Sequence, residues 1–194
     1  MHMPYDAQGD ITDEALLLRY ANGDPAAPAA LTRRLTPRVF GHAYRLLGDR
    51  AEAEDVTQEA LMRLWKIAPE WRRGEARVTT WLYRVVANLC TDRVRRRRAV
   101  ALEAVEEPAD DTASMAQRLQ DRARVEALGA ALATLSARQR EAVVLRHIEG
   151  LGNPEIAEIM QISVEAVESL TARGKRALAG ALAGRREELG YNDD

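Results

Sequence analysis

Cysteine is almost absent: Cys90 is the only one in 194 residues, which excludes an internal disulfide and a cysteine-built metal site. His2, His42 and His147 are scattered without ligand spacing, so no metal site is expected. Cys90 reads most simply as a small core residue. Long apolar runs are also missing. None approaches the ~18 residues of a membrane span, and the start, Met-His-Met-Pro-Tyr-Asp, lacks the basic end and apolar stretch of a signal peptide. A soluble, cytoplasmic protein without membrane insertion is expected. No segment alternates convincingly with the period of a strand, whereas alanine, leucine, arginine and glutamate dominate, so the fold class is all-α. Nor is there a nucleophile with its base, a pair of inward carboxylates or a phosphate-cradling glycine loop. These absences argue against an enzyme and against a cofactor.

What is present is an uneven charge distribution. The net charge of -2 conceals -3 over residues 1–70, +7 over 71–98, -5 over 99–111 and -1 over 112–194. Residues 71–98 hold nine arginines (72, 73, 77, 84, 93, 95, 96, 97 and 98) against Glu75 and Asp92, a charge suited to a polyanion. From Thr80 the pattern is helical: Leu82, Val85, Val86, Leu89 and Val94 form one apolar stripe, and Arg84, Asn88, Thr91 and Arg95 recur on another face. Arginine binds phosphate bidentately, and asparagine both donates to and accepts from a base edge. With Trp71, Trp81 and Tyr83 lying among the arginines, the stretch reads as a nucleic-acid-binding helix rather than a merely solvated face.

Along the rest of the chain, residues 1–11 read as a loose tail and Asp13 as the cap of a helix over 14–21 that ends at Asn22-Gly23-Asp24. Pro25 and Pro28 suit the first turn of a second helix with Leu31, Leu35, Val39, Ala43, Leu46 and Leu47 buried, which Thr36-Pro37 should kink or split. After the turn Gly48-Asp49-Arg50, residues 51–66 form an amphipathic helix, with Val56, Ala60, Leu61, Leu64 and Trp65 on one side and Asp55, Gln58, Glu59, Met62 and Arg63 on the other. Residues 99–111, acidic and without a basic residue, read as a flexible linker. A helix over 112–135 should bury Leu119, Ala123, Leu128, Ala131 and Leu132. Ser136 to Gln139 is a capping box for the next helix, with Ala142, Val143, Leu145 and Ile148 buried. Asn153-Pro154 should cap a short helix over 155–160, and after Gln161-Ile162, Ser163 should cap a long one from Val164 to about Glu188. Two helices across so short a turn, with Ile156, Ala157, Ile162 and Val167 at the packing points, are a helix-turn-helix.

These motifs carry a family resemblance. Arg73-Gly74-Glu75-Ala76, Thr80-Trp81-Leu82-Tyr83-Arg84 and Asn88 resemble the promoter-melting segment of the extracytoplasmic-function (group IV) sigma factors of the sigma-70 family. Leu47-Gly48-Asp49, Ala53-Glu54-Asp55-Val56, Gln58-Glu59 and Leu64-Trp65 resemble the segment by which those proteins grip the β′ clamp helices of RNA polymerase. The run from Leu135 to Glu141, Glu149-Gly150-Leu151 and the helix-turn-helix resemble the fourth sigma region, which reads the -35 promoter element. The resemblance spans about residues 24–98 and 112–183. It implies two small helical domains, region 2 over 1–98 and region 4 over 112–194, joined by the acidic linker 99–111. It also implies a function in promoter-specific initiation on core RNA polymerase, through the β′ clamp helices and β flap, under an anti-sigma factor. By it, Asp55, Gln58, Glu59 and Arg63 contact core enzyme. Arg73, Gly74, Glu75, Ala76, Arg77 and Asn88 surround an unstacked base of the -10 element, while Arg84, Arg93, Arg95, Arg96, Arg97 and Arg98 hold phosphates. Ser163, Glu165, Ala166 and Ser169 enter the major groove of the -35 element, with Arg173, Lys175 and Arg176 on its backbone. Trp81 stands where housekeeping sigma factors place the first of two wedge tryptophans, but Leu82 follows it, so Trp81 reads mainly as core and melting as stringent.

Two positions depart from the family pattern. Gln161 stands at a turn position usually held by glycine, at a cost of roughly 1 kcal/mol if its backbone is left-handed. Glu168-Ser169-Leu170 stands where relatives often have Lys-Ser-Arg, and Gly174 within the last helix has no sequence explanation. Two other readings are open from residues alone: a conventional helix-turn-helix regulator with a sensor or dimerisation domain over 1–98, and a helical adaptor acting through 51–66.

Overall fold

The computed structural model describes residues 11–72, 77–101 and 116–183, of which 98–101 and 116–124 are described by backbone alone. The described residues are helical, as expected: α1 (Asp13–Ala21), α2 (Ala27–Leu47), α3 (Arg50–Ile67), a 3-10 turn (Ala68–Glu70), α4 (Val78–Ala101), α5 (Ala116–Ala133), α6 (Ala137–Val143), a π turn (Val144–Ile148), α7 (Asn153–Met160) and α8 (Val164–Ala183). They form two units, residues 11–44 with 49–72 and 77–88, and residues 45–48 with 89–101 and 116–183.

In the first unit the stripes read from the sequence meet. Leu31, Leu35, Val39 and Ala43 of α2, Val56, Ala60 and Leu64 of α3, and Val78, Leu82 and Val86 of α4 are buried with Leu16 and Leu17 of α1. The α2 helix is not split at Thr36-Pro37; it continues through Pro37, because the buried residues on both sides belong to one stripe. Thr12, not Asp13, caps α1: its extended backbone (φ -68°, ψ 157°) lets its hydroxyl accept from the Ala15 N–H. Asp13 is inside the helix and pairs with Arg34 at 3.5 Å and Arg38 at 3.9 Å. Glu14 of the same helix accepts from the Val78 N–H at 3.0 Å, satisfying one of the orphan donors that open α4. Gly48 takes φ +70° at the corner between α2 and α3, and Asp49 then caps α3.

The expected linker begins later than the charge pattern indicated. Ala99 to Ala101 continue α4, since alanine extends a helix readily and the acidic residues start only at Glu103. The remainder of the linker, 102–111, lies outside the described residues, as do 1–10, 112–115 and 184–194.

In the second unit α5 buries Ala131 and Leu132 as expected, with Ala127 beside them, while Leu128 is exposed at the edge; the side chains of Leu119 and Ala123 lie outside the described residues. The capping box at Ser136 and Gln139 forms as read. Arg140 donates to the carbonyls of Leu132 (2.8 Å) and Ala133 (3.0 Å), and Arg138 to that of Met160 (3.1 Å), so two arginines of α6 satisfy the C-terminal ends of α5 and α7. After α6 the backbone widens into the π turn, where the Glu149 N–H reaches the Val144 carbonyl at 3.0 Å. The cap of α7 is Gly152, not Asn153; Glu155 folds back to the Gly152 N–H at 3.3 Å. Gln161 is left-handed (φ 53°, ψ 50°). We predict that Gln161→Gly stabilises the helix-turn-helix by about 0.5–1 kcal/mol, the left-handed penalty less glycine's extra chain entropy, measured as a shift in the chemical denaturation midpoint.

Gly174 now has an explanation. It is buried, and a Cβ built there would lie 2.5 Å from Val143 Cγ2 and 3.3 Å from the Gln139 carbonyl oxygen. The glycine lets α8 approach α6 more closely than any side chain would permit.

Candidate nucleic-acid interface

Three surfaces carry the residues singled out from the sequence. On α4 the two faces separate as the periodicity required: Leu82, Val86 and Leu89 are buried, whereas Asn88, Thr91, Arg95, Arg96 and Arg97 are exposed and Arg84 and Arg93 half-buried. Arg77 is exposed just before the helix. Arg73, Gly74, Glu75 and Ala76, and the side chain of Arg98, lie outside the described residues. The aromatic residues divide. Trp71 and Trp81 meet edge to face with centroids 6.1 Å apart, both half-buried. Tyr83 instead points into the core, where its ring tilts against the fully buried His42 at 4.8 Å. It is not a surface for stacking bases; position 83 falls within the buried arc of α4. Cys90 is buried, as expected of a core residue.

On α3, Asp55, Gln58, Met62 and Arg63 are exposed and Glu59 half-exposed, with Glu59 and Arg63 paired one helical turn apart. Gln58 borders a cleft of about 420 Å³ between α2 and α3, lined also by Thr36, Phe40, Arg50, Glu54, Thr57 and Leu61. The α2 side of this cleft was missed from sequence. Its signal is Thr36, Phe40 and Tyr44, spaced by four and offset by one residue from the buried stripe Leu35, Val39 and Ala43, which places an aromatic pair stacked at 6.0 Å on the flank of the helix. Arg50, which pairs with Glu54 at 2.9 Å, holds its guanidinium 6.0 Å from the Phe40 ring.

On α8, Val167 and Gly174 are buried, and Glu165, Glu168, Ser169, Ala172 and Arg176 face outward at intervals of three and four residues. Ser163 caps the helix, accepting from the Ala166 N–H at 3.2 Å. The Glu165 backbone N–H and then the Ser163 hydroxyl hold the Glu165 carboxyl below its ordinary range. The Arg173 Nε donates to the Ser169 carbonyl at 3.2 Å. Lys175 leaves this face: it lies beside His147 on the rim of an apolar pocket of about 180 Å³ lined by Leu128, Leu132, Val143, Ile148 and Leu178. Burial first, then the Lys175 and Arg146 charges, push His147 below its ordinary pKa. Among the described residues no group of histidine, cysteine and carboxylate side chains could hold a metal ion, and no helix is long and apolar enough to cross a membrane.

Comparison with known proteins matches two family models to the chain. The model of sigma-70 region 2 matches residues 31–100, and that of sigma-70 region 4 matches residues 125–178. The RNA polymerase sigma-H factor of Pseudomonas aeruginosa is 30% identical over 88% of this chain and 93% of its own length. The ECF RNA polymerase sigma factor SigE of Mycolicibacterium smegmatis is 37% identical over 84% of this chain. The chain belongs to the extracytoplasmic-function sigma factors of the sigma-70 family. This sigma factor spans 65% of the length of SigE. Its fold matches that of CnrH, solved in complex with the cytosolic domain of CnrY, with a TM-score of 0.66 and 25% identity over 89% of this chain and 97% of that one. Region 2 thus takes in the helices carrying the cleft and the arginine face. Residues 31–100 are not the sensor domain of a conventional regulator.

Proposed function

We propose that this sigma factor binds core RNA polymerase as its promoter-specificity subunit, with region 2 over 1–98, the acidic linker over 99–111 and region 4 over 112–194. The observation that carries the reading is that one chain presents both an arginine-rich outward face on α4 and a helix-turn-helix with an exposed first turn on α8. Asp55, Gln58, Glu59 and Arg63, with the cleft that Gln58 borders, grip the β′ clamp helices. The β flap is the second contact of the proposed complex with core enzyme. Arg73 to Arg77 and Asn88 capture a base of the melted -10 element, and single strands are read in this way once a base leaves the stack. Arg84, Arg93 and Arg95 to Arg98 neutralise phosphates. Ser163, Glu165, Ala166 and Ser169 face the -35 major groove, with Arg173 and Arg176 flanking it on phosphates; Lys175 makes a backbone contact only from the edge of the module. Because the outward face of α8 carries two carboxylates, region 4 alone binds DNA weakly and gains affinity by being tethered to region 2 on the polymerase. CnrH was solved with a partner's cytosolic domain, which supports control of this sigma factor by an anti-sigma factor.

Run-off transcription tests the proposal. The protein with core polymerase on a pool of promoter fragments should give discrete start sites absent with core alone, and Asn88→Ala should weaken them about fivefold or more, as expected for loss of one base contact worth ~1–3 kcal/mol. New start sites that are equally strong in Asn88→Ala would remove Asn88 from the -10 site. No new start sites, with the protein alone shifting duplex DNA, would overturn the sigma function.

A further inference from the structure

The polar groups in the first two turns of the α8 outward face are carboxylates and hydroxyls; no cation precedes Arg173. One of these carboxylates is engaged in a defined way. Glu168 Oε1 accepts from the side-chain Nδ2 of Asn153 at 3.3 Å, a bond across fifteen residues that joins the start of α7 to the second turn of α8. Asn153 is free to make it because Gly152 caps α7 and Glu155 takes the Gly152 N–H. With one of its two amide hydrogens engaged by Glu168, Asn153 keeps its second N–H and its carbonyl oxygen, and Glu168 keeps its second oxygen, which can only accept. The exposed member of the pair, the Glu168 carboxylate, therefore offers an acceptor only. Phosphate oxygens accept, guanine shows two acceptors in the major groove, and thymine shows one with a methyl group; only the exocyclic amino groups of cytosine and adenine donate there. Adenine sets its N7 acceptor beside that amino group, where it repels a second carboxylate oxygen, and cytosine does not.

Resting on the reading of α8 as the -35 recognition helix, we propose that Glu168 is a base-selecting residue that reads the N4 amino group of a cytosine, and that Asn153 is the positioning residue that holds its carboxylate toward the groove. Glu168 then does more than weaken the grip on phosphate: it fixes one base of the upstream element.

Selection from a promoter library randomised across the -35 element, with holoenzyme reconstituted from core polymerase and the full chain, tests this. Wild type should require cytosine at one position, and Glu168→Ala should lose that preference by roughly tenfold at that position alone. Glu168→Gln should shift the same position toward adenine, because an amide pairs with the N6 and N7 of adenine. Asn153→Ala should blunt the preference there without creating a new one. A purely structural tie between α7 and α8 would change none of these preferences. If Glu168→Ala leaves the sequence profile unchanged, or tightens binding to all sequences alike, the base-reading role is overturned while the sigma function stands. If wild-type holoenzyme selects no sequence, the sigma function falls and this proposal with it.

Discussion

Gly174→Val is expected to cost the second unit roughly 3 kcal/mol or more. Even a lone Cβ meets Val143 Cγ2 at 2.5 Å. Val143 cannot give way, because a β-branched side chain in a helix has essentially one χ1 rotamer, and the second neighbour, the Gln139 carbonyl, is backbone. Gly174→Ala sets two effects against each other: alanine gains about 1 kcal/mol of helix propensity and overpacking costs about 1–3 kcal/mol, so a net loss of up to about 2 kcal/mol is expected. Val143→Ala in the same chain should recover part of that loss, since the two residues touch and their effects are not additive. The three tryptophans, Trp65, Trp71 and Trp81, all belong to the first unit. Tryptophan fluorescence should therefore follow an unchanged transition, while helical circular dichroism shows a second one moved to lower denaturant. An unaltered dichroism profile in Gly174→Val would show that α6 and α8 are not held at this distance in solution.

The second large effect depends on pH. Glu141 is buried in α6, and burial raises its carboxyl pKa from 4.5 to about 7, with the Arg138 charge opposing the shift in part. Between these values the folded protein holds a proton that the unfolded chain has released. Glu141 therefore contributes its full stability below about pH 4.5, and that contribution is lost as pH rises through 7. The difference amounts to about 3 kcal/mol between pH 4 and pH 8. Glu141→Gln does not titrate and keeps the neutral form at all pH. Its stability relative to wild type should rise by about that amount across the interval, as read from paired denaturation curves at each pH. Parallel curves would mean that Glu141 is hydrated in solution and that its burial is not maintained.

The candidate surfaces were legible where periodicity carries the information. The buried and outward faces of α4, the buried stripe of α2 and the amphipathic α3 follow from residue spacing alone, because a helix repeats every 3.6 residues whatever it packs against. Caps were less legible. Asp13 and Asn153 are good capping residues beside other good ones, and which of two neighbours caps is decided by where the backbone leaves the extended region. Tyr83 was misjudged because an aromatic residue near arginines is equally at home on either side of the arc that divides core from surface.

The sequence by itself determined an all-α protein with two helical units, a basic helix and a helix-turn-helix, since composition, charge segregation and helical period are properties of the chain. Only the tertiary structure decided the need for glycine at 174, the burial of Glu141, the cleft between α2 and α3 and the Asn153 bond to Glu168. Each of these depends on what a second segment, distant along the chain, brings within a few ångströms, and residue spacing carries no record of that distance.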